Sequence, residues 1–473
     1  MTVRHANGGE RPRVLVAGGG VAALEALLAL HELAGRHVRL ELLAAGTEFL
    51  NRPASVAAPF GLGGPGPVPF AEVAQRCDAD LHRGTLAGVD QDARVALTAD
   101  GGRLPYAALV VAVGARAALA VPGAVAFGGP PDVPAVTGVL DAAARGAVRT
   151  IVFTMSSGVA WTLPLYELAI MTAVELRDRG ADGVAIRIVS PEAAPLQLFG
   201  GAASAAVGRL LRERGIGFAH GRVEQFADGA ARLAQGGAIP ADAVIALPPL
   251  QGPRIDGLPG NEHGFIPVDA HGRVRGTSGV YAAGDATTFP IKQGGLATQQ
   301  ADAAAAAVAV DLGLRATAEP FCPVLRGLLL TGGAPLYLRA ELTEHETGVS
   351  RVVDAMGGEA STRALWWPPG KVAGRYLAPY LATARPVALG RQPLVDRTPA
   401  ARSGTAAGGT DAAAALELTL VLADEDARMG DYAQALHALD GAAALAGGVL
   451  PAAAVAKRKA WLAAIDRREH AHP

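Results

Sequence analysis

Along this chain, apolar residues gather into short unbroken runs that give way to helical repeats. Val14, Leu15 and Val16 form one such run, glycines follow at Gly18–Gly20, and Leu24, Leu27 and Leu28 then recur at helical spacing. Residues 14–33 are therefore predicted as strand, tight turn and helix. Val38–Leu43 alternates and reads as the second strand of that unit. The Gly/Pro-rich stretch Pro59–Pro69 is expected to be irregular. From Ala79 to Thr98, short alternating segments surround turn signals such as Asp100-Gly101-Gly102, the pattern of a small antiparallel sheet. Leu109–Val113 is a buried strand ending at Gly114-Ala115. A second strand–helix–strand order begins at Val148: VRTIVFTM, then LPLYELAIMTAVELRDRG with Pro164 in its first turn, then VAIRIVSPE. Finally Gly279–Ala286 brings a strand to a Gly-Asp turn, and the pair Gly294-Gly295 opens a long Ala-rich helix.

Composition narrows the classes. With 473 residues, half of them hydrophobic and 18% charged, the chain can build two or three packed domains. A formal net charge of -2 gives no basic field, so no nucleic-acid partner is expected. Two cysteines, Cys77 and Cys322, exclude a disulfide framework, a Cys-rich metal site and a C-x-x-C dithiol; a reducing, cytoplasmic setting fits, and no metal is expected. Glu25 and the glycines interrupt the N-terminal apolar run, which argues against a secretion signal. The Ala-rich segment after Gln300 is bounded by Asp302 and Asp311, too close together for a membrane span.

The first turn carries the clearest chemistry. In Gly18-x-Gly20-x-x-Ala23, Gly18 permits the turn, Gly20 lets a pyrophosphate approach the backbone, and Ala23 lets the helix lie close to its strand. An acidic residue that usually closes the second strand and binds ribose is missing, because Ala44 and Ala45 stand there, with Glu41 too early and Glu48 too late. The second unit also departs from the pattern. Between its strand and helix lies Ser156-Ser157-Gly158-Val159-Ala160-Trp161-Thr162-Leu163-Pro164, which lacks spaced glycines and puts Trp161 where a pyrophosphate needs bare backbone.

The order GxGxxA near the N-terminus, AVGAR in the middle, YAAGDA two-thirds along and a helix of the LATQQAD type resembles the two-dinucleotide flavoprotein oxidoreductases. Within that group the chain is most similar to sulfide:quinone oxidoreductases, flavocytochrome c sulfide dehydrogenases and type II NADH dehydrogenases, over about Arg11 to Pro393. The resemblance implies an α/β fold of two Rossmann-like domains, a C-terminal subdomain and a helical tail, with FAD as cofactor. It divides the chain into an FAD-binding domain over 11–120 and 271–318, a second Rossmann-like domain over 121–270, a capping or interface subdomain over 319–393, a linker over 394–410 and a tail over 411–473. For FAD it implies Gly18, Gly20, Val21, Ala22 and Ala23 at the pyrophosphate, Arg52 and Gly114 along the cofactor, Gly284 and Asp285 at the ribityl chain, and Gly295, Leu296 and Ala297 near the pyrimidine end of the ring.

The same resemblance places Glu167 and Lys292 near the flavin as candidate catalytic residues. Their bland alternatives are a carboxylate satisfying its own helix's first turn and a solvated loop cation. The paired cysteines by which relatives relay sulfur are absent, since residues 154–167 hold none, and Cys77 and Cys322 are not expected to meet. Trp366-Trp367-Pro368-Pro369 with Lys371, Arg375, Tyr376 and Tyr380 suits an interface, whether with a membrane surface, a lid or a second copy. The stretch ADEDARMGDYAQALHALDGAAAL resembles one tetratricopeptide hairpin within a tail of three amphipathic helices. The expected activity is electron transfer from a small-molecule donor through FAD to a quinone or other small acceptor, without a redox dithiol. An NAD(P)H:acceptor oxidoreductase with an atypical second site, and a non-catalytic flavoprotein scaffold or sensor, are the alternatives. Small molecules, a quinone among them, are the expected partners, and peripheral contact with the inner face of a membrane and a homodimer are compatible with the sequence.

Overall fold

The structure, a computed structural model, describes residues 11–62, 66–156, 161–347, 350–384, 439 and 452–469. Two units are distinguished by their internal contacts, residues 1–363 with 371–397 and residues 364–370 with 398–473.

In the first unit, two five-stranded sheets carry the architecture. The first runs in the order Val280–Ala282, Ala108–Val111, Arg13–Ala17, Arg39–Ala44, Ala79–Arg83, with every neighbouring pair parallel. Its first strand comes from far along the chain: Leu109 N–H donates to Gly279 O at 2.9 Å, which sews the returning segment onto the edge. The second sheet runs Val125–Ala126, Ala243–Leu247, Thr150–Met155, Ala185–Ser190, Gly217–His220, again all parallel. Parallel sheets need both faces covered, and their central strands accordingly read as solid apolar runs. Val14–Ala17 and Ile151–Phe153 are fully buried.

Helix Val21–Ala34 packs against helix Gly294–Asp311 through alanines. Ala22, Ala26 and Ala29 on one and Ala297, Ala301 and Ala304 on the other belong to a single buried cluster. Small side chains let the two backbones approach closely, which explains the alanine richness better than helix propensity alone. The helix Leu163–Asp178 has the same role in the second sheet, where Leu165, Tyr166 and Leu168 are fully buried.

Outside these layers lie two small antiparallel sheets, Leu86–Asp90 with Val95–Thr98 and Arg103–Pro105, and Val223–Ala227 with Ala230–Leu233 and Ala238–Pro240. A third joins Val324–Leu329, Leu336–Thr347 and Ser350–Ser361. The region 59–69 is more regular than expected. Pro59 lies in a 3-10 helix, Arg52–Phe60, and Val68–Pro69 pairs with Glu48–Phe49; residues 63–65 lie outside the described residues. The linker and the tetratricopeptide-like hairpin read from the sequence also lie outside them. In the second unit Trp366 Nε1 donates to Gly370 O at 3.2 Å, and Ala452–Glu469 is a helix. Among the described residues no helix is long and apolar enough to cross a membrane.

Both cysteines are free thiols. Cys77 is buried just past helix Phe70–Arg76, and burial pushes its thiol up to about 12, whereas Cys322 is exposed. One thiol per chain should therefore react rapidly with an aromatic disulfide reagent at neutral pH, and a second only in denaturant. Cys322→Ser should abolish the rapid phase; its survival in that variant would contradict the burial of Cys77.

Candidate functional site

A cleft of about 630 Å³ runs between the C-terminal edges of the two parallel sheets. Its first wall is built by the turn and helix start Gly19–Ala22, by Ala45, Gly46 and Glu48 after the second strand, and by Gly114 and Asp285. Trp161, Leu163, Pro164 and Glu167 face them from the side of the second parallel sheet, with Leu247, Pro248 and Leu250. Open α/β sheets bind ligands at this edge because the strands end there and helix N-termini converge.

The glycines of the first turn have separate tasks. Gly18, at φ +141°, lies so close to the neighbouring strand end that a Cβ there would stand 2.1 Å from Ala112 O. Gly20 has ordinary backbone angles, and a Cβ on it would meet nothing within 4 Å, because that direction is the open cleft. The amides of the first helical turn have no intrahelical partners, so a phosphate could take them. Of the residues expected to hold FAD, Gly20, Val21, Ala22, Arg52, Gly114, Asp285 and Ala297 line the cleft. Ala23 is wholly buried behind them, and Gly18 serves the turn. Gly284, Gly295 and Leu296 stand just behind the wall. Gly284 fits between Ala22 and Ala297, where a Cβ would come within 2.9 Å and 3.3 Å of their methyl groups. Leu296 N–H is capped by Gln293 Oε1 at 2.8 Å, which leaves the cleft face of that helix start to Gln293, Gly294 and Ala297.

Of the charged groups lining the cleft, Glu167 and Lys292 are buried, whereas Glu48 and Arg52 are exposed. Burial pushes the Asp285 carboxyl up, while the cations of Lys292 and Arg52 draw it back. Among the described residues its carboxylate takes no side-chain hydrogen bond, so its acceptor capacity is open to a ligand's hydroxyls. Lys292 is not a solvated loop cation: it is buried, its Nζ donates to Thr287 O and lies 4.0 Å from the centre of the Phe265 ring. Burial lowers its ammonium to about 8, with Asp285 opposing.

Glu167 does not serve its own helix's first turn either. Its Oε1 accepts Leu330 N–H at 2.8 Å and a hydrogen bond from Lys371 Nζ, while buried Oε2 has no partner among the described residues. Burial pushes the carboxyl up and the ammonium down, and each is drawn back by its partner. Lys371 was grouped by sequence with an aromatic interface, yet it lines the cleft. It is the site residue that sequence reasoning missed, because nothing near it in the chain signals a partner more than 200 positions away. Glu48, judged too late to face a ribose, also lines the cleft.

Beside the second parallel sheet, the buried carboxylate of Glu192 is already engaged. Glu192 accepts from Thr162 Oγ1 (3.1 Å), Tyr166 Oη (2.6 Å) and Ser190 Oγ (3.0 Å), and its own N–H donates to Ser190 Oγ at 3.1 Å. Trp161 packs edge-on to Phe199 at 5.8 Å. Residues 157–160 of the atypical turn lie outside the described residues. No group of three or more His, Cys, Asp or Glu among the described residues could hold a metal ion.

Comparison with known proteins agrees with this geometry. Residues 166–309 match the family model of the pyridine nucleotide-disulphide oxidoreductases. Among solved structures, the chain is similar to the sulfide:quinone oxidoreductase of the hyperthermophilic bacterium Aquifex aeolicus, at 19% identity and a TM-score of 0.65, over 74% of this chain and 87% of that one. A ferredoxin reductase from Rhodopseudomonas palustris matches at 19% identity and a TM-score of 0.55, over 73% and 88%. Putidaredoxin reductase, in its covalent complex with putidaredoxin, matches at 18% and 0.53, over 72% and 85%. No curated protein matches the chain. At these identities the likeness establishes the fold.

The two glycines give a paired test. Gly18→Ala should destabilise the fold by roughly 2 kcal/mol or more, since the new methyl collides with backbone. Gly20→Ala should unfold within about 0.5 kcal/mol of the parent, yet bind FAD about tenfold more weakly or worse. Denaturant melts and flavin titration read the two effects separately.

Proposed function

We propose that this chain, by fold a two-dinucleotide-binding FAD oxidoreductase, passes electrons from a small-molecule donor through FAD to a quinone or another small acceptor, without a redox dithiol. The carrying observation is that one cleft gathers the glycine turn, the open carboxylate of Asp285 and the Glu167–Lys371 pair from four distant parts of the chain. The cradle fits FAD: a Cβ at Gly20 would point into space that a pyrophosphate needs, and Gly114 is open on the same side. When bound, FAD supplies the two-electron store that couples donor to acceptor.

The protein's own groups bind, orient and move protons. The first-turn amides at Val21 and Ala22 take the pyrophosphate, and Asp285 accepts from ribityl hydroxyls. The N-terminal end of helix Gly294–Asp311 favours negative charge at the pyrimidine end, as does Lys292. Glu167, with one oxygen unpartnered, receives or returns a proton, and Lys371 holds it in place and balances its charge. Trp161, Leu247, Pro248 and Leu328 form an apolar flank that excludes water and suits a planar hydrophobic acceptor. The quinone named for the Aquifex aeolicus relative is consistent with that flank, and an acceptor carried in lipid would bring the protein to a membrane surface. Neither cysteine lines the cleft, so a thiol relay has no place in this reading. NADH and NADPH are poor donors, because Glu192 is committed to Thr162, Tyr166 and Ser190 and Trp161 stands where the cradle would be.

Purified protein should be yellow, with one FAD per chain, and Asp285→Ala should weaken FAD retention by about tenfold or more. Anaerobic bleaching of the flavin by micromolar NADH should be slow and unsaturated; rapid, saturable bleaching would overturn the exclusion of pyridine nucleotide. With a donor that does reduce the flavin, the variant lacking both cysteines should retain its rate, and Glu167→Gln should lose about tenfold or more. A protein that takes up no flavin at all would overturn the proposal.

A further inference from the structure

Glu25 is charged in most sequence contexts, yet here it is wholly buried in the middle of helix Val21–Ala34. A buried carboxylate needs partners, and its partners lie some 350 positions away in the chain. Tyr376 N–H donates to Glu25 Oε1 at 2.8 Å and Leu377 N–H to Oε2 at 2.7 Å, with Arg375 N–H adding to the set. These are amides at the start of helix Leu377–Ala384, so the carboxylate from one helix caps the other. Gly374 completes the contact, since a Cβ there would stand 2.4 Å from Glu25 Oε2.

The same short segment leads directly to the cleft. Ala373 O accepts from Thr298 Oγ1 at 3.4 Å, Val372 is buried in the cluster shared by the two alanine-faced helices, and Lys371 bonds Glu167. Six residues thus run from the Glu25 cap to the ammonium in the cleft, and the cap fixes one end of that run. Asp302 on helix Gly294–Asp311 stands against Glu25, and one of its oxygens, Oδ1, is buried without a partner among the described residues. Two carboxyls in contact hold together only if one carries a proton. The other charged or titratable groups facing this pair are Arg375 and Tyr376 from the segment itself and Glu32 further along the first helix.

We propose that Glu25 is a positioning residue for Lys371: it pins the segment 371–377 through the amide end of helix Leu377–Ala384, and a proton shared with Asp302 makes that hold dependent on pH. The role of Lys371 beside the cofactor rests on the function proposed above; the hold itself does not. Burial and the neighbouring carboxylate push Asp302 well above the usual carboxylate range, with Arg375 opposing. A carboxyl raised on folding binds its proton more tightly in the native state, so its contribution is complete at low pH and is lost as pH rises through the raised value.

The four lysines, Lys292, Lys371, Lys457 and Lys459, make amine labelling of the full chain, read by mass spectrometry, a direct test. In the parent, Lys371 should label slowly, like buried Lys292. Glu25→Ala should speed Lys371 labelling about tenfold or more while leaving Lys292 unchanged, and hydrogen exchange of residues 374–384 should rise with it. Glu25→Gln, which keeps one acceptor oxygen and is the milder change should the alanine variant fold poorly, should lie between. Asp302→Asn preserves a donor to Glu25 without a titrating proton. The ratio of Lys371 labelling in the parent to that in Asp302→Asn should therefore climb as pH rises through the raised Asp302 value. Unchanged Lys371 labelling in both Glu25 variants, or faster exchange of 374–384 without faster Lys371 labelling, overturns the positioning role. A flat parent-to-Asp302→Asn ratio overturns the proton link. Failure of the flavin reading would show separately, as absence of a flavin spectrum in the parent.

Discussion

The close approach of helix Val21–Ala34 to helix Gly294–Asp311 is the constraint on which the site depends. Alanine faces alanine along their contact, and Gly284 is wedged between Ala22 and Ala297 with no room for a side chain. Only with backbones this near do the two helix starts open onto one cleft, although they lie some 270 residues apart in the chain. The sheet enforces the same geometry, since the strand Val280–Ala282 must be hydrogen-bonded beside Ala108–Val111 for its Gly-Asp turn to reach the cleft. Larger residues at this contact would separate the anion-binding turn from the carboxylate that complements it.

Once that contact is set, the charged groups are placed by burial. Asp285 is offset by Lys292 and Arg52, Glu167 by Lys371, and Glu25 by backbone amides and the Asp302 side chain. Each arrangement keeps a charge out of water only where a specific partner compensates it. Glu192 follows the same rule with a different outcome. Its three hydroxyl donors, from Thr162, Tyr166 and Ser190, satisfy it within the layer built on the second parallel sheet.

The last described segment of the first unit closes the arrangement. It crosses from Glu167 to Glu25, touching both dinucleotide-type units over a few residues, and so brings a cation to a cleft that neither unit supplies alone. Two residues that the sequence groups with an interface are turned inward here: Lys371 bonds Glu167 and Tyr376 packs on the helix cluster.

Sequence by itself determined the local elements. The solid apolar runs, the glycine turn, the Pro164 helix start and the Gly-Asp turn fall where their periodicity and turn chemistry put them, because these depend on neighbours a few residues apart. The spacing of Gly18, Gly20 and Ala23 also marked the tight strand-to-helix turn, since each of these small residues answers to backbone geometry within it. Residues 52–60 and 68–69 were less legible, because Pro-rich sequence does not reveal a 3-10 turn or a two-residue bridge made by contact with Glu48–Phe49. What only the tertiary structure decided was pairing over long distance: Glu167 with Lys371, Glu25 with Tyr376 and Leu377, and Glu192 with Tyr166. A carboxylate's partner is chosen by which groups folding buries beside it, and no local pattern around Glu25 or Lys371 encodes which strand or helix will arrive there.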